Sequence, residues 1–115
     1  DLIKKLLDKN ADPNIADSTG ALPLSEAVLR RTSNPEVVKM LLDKGANPNA
    51  QESDKVTPLM YAAENKNVSS QTRNEIVQLL LAKGADKKMK DNKGKTAVDW
   101  AKQGGNKDTV ELLQK

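Results

Sequence analysis

Two stretches decide the fold: Thr57-Pro58-Leu59-Met60-Tyr61-Ala62-Ala63 and, after a polar interval, Ile76-Val77-Gln78-Leu79-Leu80-Leu81-Ala82-Lys83-Gly84-Ala85-Asp86. A threonine side chain accepts from the open N–H groups at a helix start, and proline suits the first helical position, where its fixed φ is pre-set and its missing N–H is no loss. Thr57-Pro58 therefore predicts a helix beginning at Pro58. Leu59, Ala62 and Ala63 fall at i, i+3 and i+4, a narrow stripe of mostly small side chains that lets a neighbouring helix come close. The second stretch predicts a second helix with an apolar face of Ile76, Val77, Leu80 and Leu81. It stops at Gly84, the residue type that tolerates a left-handed C′ position.

The same pattern recurs along the chain. The closing position is Asn10 in Leu6-Leu7-Asp8-Lys9-Asn10-Ala11-Asp12-Pro13-Asn14, Gly45 in Leu41-Leu42-Asp43-Lys44-Gly45-Ala46-Asn47-Pro48-Asn49, and then Gly84, at intervals of 35 and 39 residues. The opening position gives Leu22-Pro23-Leu24, Thr57-Pro58-Leu59 and Thr96-Ala97-Val98. Threonine-proline-leucine, a small-residue pair, a Leu-Leu-x-x-Gly-Ala-Asp close and a period in the thirties resemble the ankyrin repeat, and the resemblance runs the length of the chain. It implies an all-α solenoid of helix-turn-helix units with short β-turn fingers. The units are a partial repeat over 1–16, repeats over 17–51 and 52–90, the latter with an insertion between its helices, and a C-terminal capping repeat over 91–115.

Composition agrees with a stack. In 115 residues there is no Phe, one Trp and one Tyr, and 37% of residues are hydrophobic, which is poor material for one globular core. Stacked repeats need only aliphatic and alanine faces, since each unit buries its surface against its neighbours. The absence of cysteine excludes a disulfide framework and a thiolate metal site. No long apolar run, charged-then-apolar leader or initiating Met is present, so no membrane span is expected within this stretch, which reads as a fragment, and the cytoplasm is the expected location. Asp1 to Leu7 reads as a second helix (Leu2, Ile3, Leu6, Leu7) without a first. The expectation is that an upstream segment covers it, or that the chain, otherwise monomeric, associates weakly through that end.

Departures from the family pattern are specific. Leu22 replaces the capping threonine, an expected cost of about 1 kcal/mol. Ser25, Met60 and Asp99 stand where the family has histidine, so the hydrogen bonds of that side chain must be absent or replaced. Between the helices of repeat 17–51, Ser33 with Glu36 reads as a capping box, or else Asn34 as the cap with Pro35 at N1. Repeat 52–90 carries about six extra residues over the family period within Glu64 to Glu75, with Thr72 and Glu75 read as a second capping box. The insertion reads as a tolerated surface loop, with a partner-contacting edge as the alternative. Lys102, Gln103, Lys107 and Asp108 replace apolar residues of an internal repeat, as expected of a cap.

Enzyme chemistry finds no support. Gly94-Lys95-Thr96 imitates the end of a phosphate-binding loop, but that loop needs glycine at position 89, which is Met89. A turn followed by a helix cap explains all three residues. Without His or Cys the usual transition-metal ligands are missing, and the acidic residues do not follow a calcium-loop pattern. No serine has a base placed beside it. Asn67-Val68-Ser69 is formally a glycosylation acceptor and reads as a chance match. No catalytic residue, cofactor, metal or small-molecule substrate is assigned.

Charge is more informative. Lys83, Lys87, Lys88, Lys90, Lys93 and Lys95 stand against Asp86 and Asp91, a net +4 within thirteen residues of a chain whose formal net is +3. On one finger they would project together and steer an acidic partner. No arginine fork or interleaved aromatic accompanies them, which disfavours nucleic acid.

The resemblance implies a protein partner on the concave side, built from fingers and first helices. The family's variable contact positions fall on Ser18, Thr19, Ala21, Leu29 and Arg30, then on Ser53, Asp54, Val56, Glu64 and Asn65, then on Asn92, Lys93, Lys95 and Gln103. Tyr61 and Trp100 join them, since Glu26, Tyr61 and Trp100 share one register and should form a row. Either the two rings are core, or they are part-exposed anchors whose loss, in Trp100→Ala, weakens binding by roughly 2 kcal/mol. Rival readings are a regulatory segment of a larger enzyme and a binder of anionic surfaces.

Overall fold

A computed structural model of the protein describes residues 12–15, 22–29 and 34–114. Among the described residues six α-helices run in order, α1 Pro23–Leu29, α2 Pro35–Asp43, α3 Pro58–Glu64, α4 Ser70–Ala82, α5 Ala97–Gln103 and α6 Lys107–Gln114, with a short 3-10 turn at Ser53–Lys55. Among the described residues there is no strand. Each odd helix packs on its even successor, and the pairs stack so that α1, α3 and α5 form one layer and α2, α4 and α6 another. This is the expected all-α array. Residues 1–11 of the leading half-repeat, Asn10 among them, residues 16–21 of the first finger, and Ser33 lie outside the described residues.

Helix starts follow local chemistry. Thr57 accepts from the Met60 N–H at 3.3 Å, with Pro58 in the first turn, as its sequence predicts. Asn34, in extended backbone, accepts from the Glu36 N–H at 2.8 Å and has Pro35 behind it, which makes Asn34 the cap of α2. Gly45 and Gly84 close α2 and α4 with φ of 97° and 98°. In both closes the next alanine donates back into the last turn, Ala46 to Leu41 O and Ala85 to Leu80 O, a pattern that needs the left-handed residue in between.

The layers meet through the predicted faces. Leu59, Ala62 and Ala63 are buried in α3, and Ile76, Val77 and Leu80 in α4, while Leu81 is half-buried. Alanines on α3 and α5 (Ala62, Ala63, Ala97, Ala101) are all buried, which is what brings these short helices close. Across the stack, Asn65 donates its amide to Val28 O at 2.9 Å and Asn106 donates to Ala63 O at 2.8 Å. These bonds satisfy carbonyls at the ends of the inner helices that no helical N–H can reach.

The connections repeat as well. Asp12, Asn47 and Asp86 each accept from the backbone N–H two residues on, at 2.8–2.9 Å. From the middle of these turns, Asn14 accepts from Asn47 N–H and donates to Gly45 O, and Asn49 does the same with Asp86 and Gly84. A side-chain amide, one donor and one acceptor at fixed spacing, thus stitches each turn to the next.

Two expectations need correction. The extra residues in repeat 52–90 are mostly helix: α4 has 13 residues against 9 in α2. Its cap is Ser69, which accepts from the Thr72 N–H at 3.1 Å, so Thr72 lies inside the first turn and the Thr72–Glu75 capping box does not form. The physical reason is Arg73, which is 5% exposed. Its guanidinium donates to Thr109 Oγ1 (2.8 Å), Asn65 O (3.2 Å), Ser70 Oγ (3.3 Å) and Asp108 Oδ1 (3.0 Å), and these bonds hold the added turn against α6. The second correction follows from the first. Asp108 faces the preceding repeat as the ion-pair partner of Arg73, whereas Lys102, Gln103 and Lys107 are exposed as a cap requires.

Candidate partner-binding surface

One finger is built by hydrogen bonding to an acidic side chain and the other by backbone bonds, Glu52 N–H to Val56 O and Lys55 N–H to Glu52 O. In the finger of residues 91–96, Asp91 Oδ1 accepts from the N–H groups of Lys93 (2.8 Å) and Lys95 (2.9 Å), and Gly94 takes positive φ at the tip. Gly94-Lys95-Thr96 is therefore a turn leading into a helix cap. Thr96 starts α5, where the Asp99 carboxylate accepts from its backbone N–H at 3.0 Å and its hydroxyl at 3.4 Å. Met60 plays the same part in α3, its sulfur accepting from the Thr57 N–H at 3.4 Å. The missing histidine is thus replaced in two repeats. In α1 the Ser25 hydroxyl is buried without a partner, and the Leu22 N–H is taken by Glu52 Oε2 of the next finger at 2.7 Å.

The finger of residues 52–56 carries two non-glycine residues in the left-handed region, Asp54 at φ 63° and Lys55 at φ 61°. That turn presents the Asp54 carbonyl to the Asn92 N–H at 2.8 Å, with a weaker amide-to-carboxylate contact at 3.4 Å. The two fingers are therefore joined tip to tip.

Behind them lie the aromatics. The rings of Tyr61 and Trp100 meet edge to face, centroids 6.1 Å apart at 74°, and both side chains are half-buried. The Trp100 indole N–H donates to Asp91 Oδ2 at 3.0 Å. Asp91 is accordingly held below the usual carboxylate range, first by the Lys95 N–H and then by Lys93, Trp100 and the Lys95 charge, against an opposing effect of burial. The Tyr61 hydroxyl is pushed up from its ordinary value, first by burial and then by the charges of Glu52 and Asp54.

The aromatic pair stands between two cavities. One, of about 220 Å³, opens between the fingers and is walled by Asp54, Val56, Asp91 and Trp100, with Asn92, Lys93, Lys95 and Gln103 around it. The other, of about 180 Å³, lies at the ends of the inner helices between Leu29, Tyr61 and Glu64. Most of the residues singled out in the two complete repeats thus come together on the finger and inner-helix side. Ser53, Asp54, Asn92, Lys93, Lys95, Gln103 and Leu29 are exposed and Glu64 is half-buried. Two are spent within the fold. Val56 is buried, reachable only as a cavity wall, and Asn65 is buried with its amide on Val28 O and its side-chain oxygen on the Asn67 N–H. Ser18, Thr19, Ala21 and Arg30 lie outside the described residues.

Sequence reasoning missed Asp91 and Arg73 as organising residues. An aspartate opening a finger nine residues before a tryptophan was the available signal for the first; nothing local signalled the second. The lysine cluster is also more divided than its sequence suggests, because Lys83 caps α4 and pairs with Asp43 at 2.9 Å, away from the finger.

Comparison with known families decides what this arrangement is. The sequence matches the family described as ankyrin repeats, in three copies, over residues 1–91 and 33–115. The chain belongs to the ankyrin repeat family. Ankyrin repeats generally mediate protein–protein interaction and are typically non-catalytic. None of the curated proteins compared with this ankyrin chain matches it. Among its described residues no helix is long and apolar enough to cross a membrane, and no group of three or more His, Cys, Asp or Glu side chains is placed to hold a metal.

Proposed function

We propose that this ankyrin array is a non-enzymatic binding module whose protein partner meets the fingers and inner helices, centred on Tyr61 and Trp100. The observation that supports this is the half-buried aromatic pair standing between two cavities. Large amphipathic rings at the centre of a recessed surface, with polar side chains around them, have the make-up of a binding hot spot and its rim. The fold holds them ready. Trp100 is fixed by its bond to Asp91, and Tyr61 packs edge to face against it, so little side-chain entropy remains to be lost on association.

Affinity capture with three versions of the protein tests it: the unaltered chain, Leu29→Arg with Gln103→Arg on the proposed surface, and Gln78→Arg on the exposed side of α4. The partner should be retained by the first and third and lost by the second, with thermal melts alike. Loss through Gln78→Arg alone would move the interface to the outer helices.

A further inference from the structure

The charge on this surface shifts from negative towards positive from one repeat to the next. Corresponding positions on successive units read Asp54 then Lys93, Val56 then Lys95, and Glu64 then Gln103. The finger of residues 52–56 and its inner helix are therefore net acidic, Lys55 notwithstanding, where the finger of residues 91–96 is net basic, its Asp91 being taken up by three N–H groups, and the 220 Å³ cavity lies at the boundary against Val56 and Trp100. Asp54 and Lys93 are exposed, and the Asn92–Asp54 backbone bond keeps the two fingers together. A cavity of about 150 Å³ suffices for a benzene-sized group, so this one accommodates a leucine-sized side chain.

Resting on the function proposed above, we propose that the surface takes an extended peptide segment of the partner with opposite charges on either side of an apolar residue. The basic group lies over Asp54, the acidic group over Lys93 and Lys95, and the apolar side chain enters the cavity against Trp100, with Glu64 adding negative charge at the other end of the inner helix. The dimensions agree. Packed helices are roughly 10 Å apart, and an extended chain advances about 3.3 Å per residue with alternate side chains on one face. A basic residue, an apolar residue and an acidic residue at every second position share a face and span roughly 13 Å. A uniformly acidic segment would satisfy the lysines and be repelled by Asp54 and Glu64; a uniformly basic one would meet the reverse.

The test uses three labelled ten-residue probes, with a central Lys-x-Leu-x-Glu, Glu-x-Leu-x-Glu or Lys-x-Leu-x-Lys, in fluorescence polarisation at low and physiological salt. The mixed probe should bind at least fivefold tighter than either uniform one. Lys93→Glu with Lys95→Glu should transfer the preference to the all-lysine probe, and Asp54→Lys with Glu64→Lys to the all-glutamate probe, the melts unchanged. Equal binding of the mixed and all-glutamate probes overturns the proposal in favour of a lysine finger that attracts any anion. No binding by any probe at millimolar concentration overturns it too, as does affinity that falls with protein concentration because a second copy fills the surface. If the probes fail while a partner is still captured and lost through Leu29→Arg with Gln103→Arg, the interface stands and only its peptide chemistry is wrong.

Discussion

Ser25 is 1% exposed, and its hydroxyl has no hydrogen-bond partner at the position where Met60 and Asp99 support their caps. A buried hydroxyl without a partner keeps its desolvation cost and gains nothing in return. Ser25→Ala should therefore stabilise the protein by about 1 kcal/mol, read as a raised urea midpoint at unchanged slope; a loss of stability would mean that the hydroxyl is satisfied in solution. Asp91 is the opposite case, a carboxylate with three N–H donors. Its value in the folded protein is depressed, so its contribution to stability is complete above the ordinary value of 3.8 and is lost as pH falls through the lower folded value. Because Trp100 is the sole tryptophan and bonds Asp91, its emission should change in an acid step below that ordinary value. In Asp91→Asn the step should be missing. An identical acid profile in the variant would detach the indole from the carboxylate.

At the scale of elements, the outer helices α4 and α6 are joined by a polar network where aliphatic packing was expected. Arg73 bonds Thr109 and Asp108, Asn74 donates to Asp108 Oδ2 at 3.2 Å, and the Thr109 hydroxyl donates to Asn74 at 2.7 Å. Arg73→Leu removes the donor to Thr109 and Asp108 at a buried site and should cost about 3 kcal/mol. Asp108→Asn, at a partner 41% exposed to water, should cost only about 1 kcal/mol. Denaturant titration of both variants checks the order. Equal small losses would place Arg73 at the surface. The inner layer has its own close point: a Cβ on Gly104 would sit 2.9 Å from Glu64 O and 3.3 Å from Glu64 Cα, backbone atoms that cannot swing away. Gly104→Ala should destabilise the α3–α5 contact by about 1–3 kcal/mol, and a neutral melt would show that the layers can separate at no cost.

For the whole molecule, the prediction is that the basic finger steers the partner at a distance. Lys88, Lys90, Lys93 and Lys95 are exposed, and their replacement by Gln should slow association with the captured partner by roughly tenfold at low salt and flatten its salt dependence, with folding unchanged. Stopped-flow mixing at two ionic strengths measures this, and an unaltered on-rate would leave the lysines as a solvated face.

The sequence by itself determined the repeat, its period, the cap at Thr57, the glycine closes and the buried stripes, and it offered Asn34-Pro35 as one of two starts for α2. All of these are local: a side chain within four residues of the backbone it caps, or a periodicity read along one helix. It also grouped Tyr61 with Trp100, because identical units in register place equivalent positions in rows. Only the tertiary structure decided what lies between units. Arg73 reads as a surface residue until Thr109 and Asp108, more than thirty residues away, surround it, and only then does the insertion become a helical turn. Asn65 and Val56 read as contact positions until neighbouring repeats bury them. Burial and pairing across a stack depend on which side chains the next unit brings, and no window of sequence within one unit contains that information.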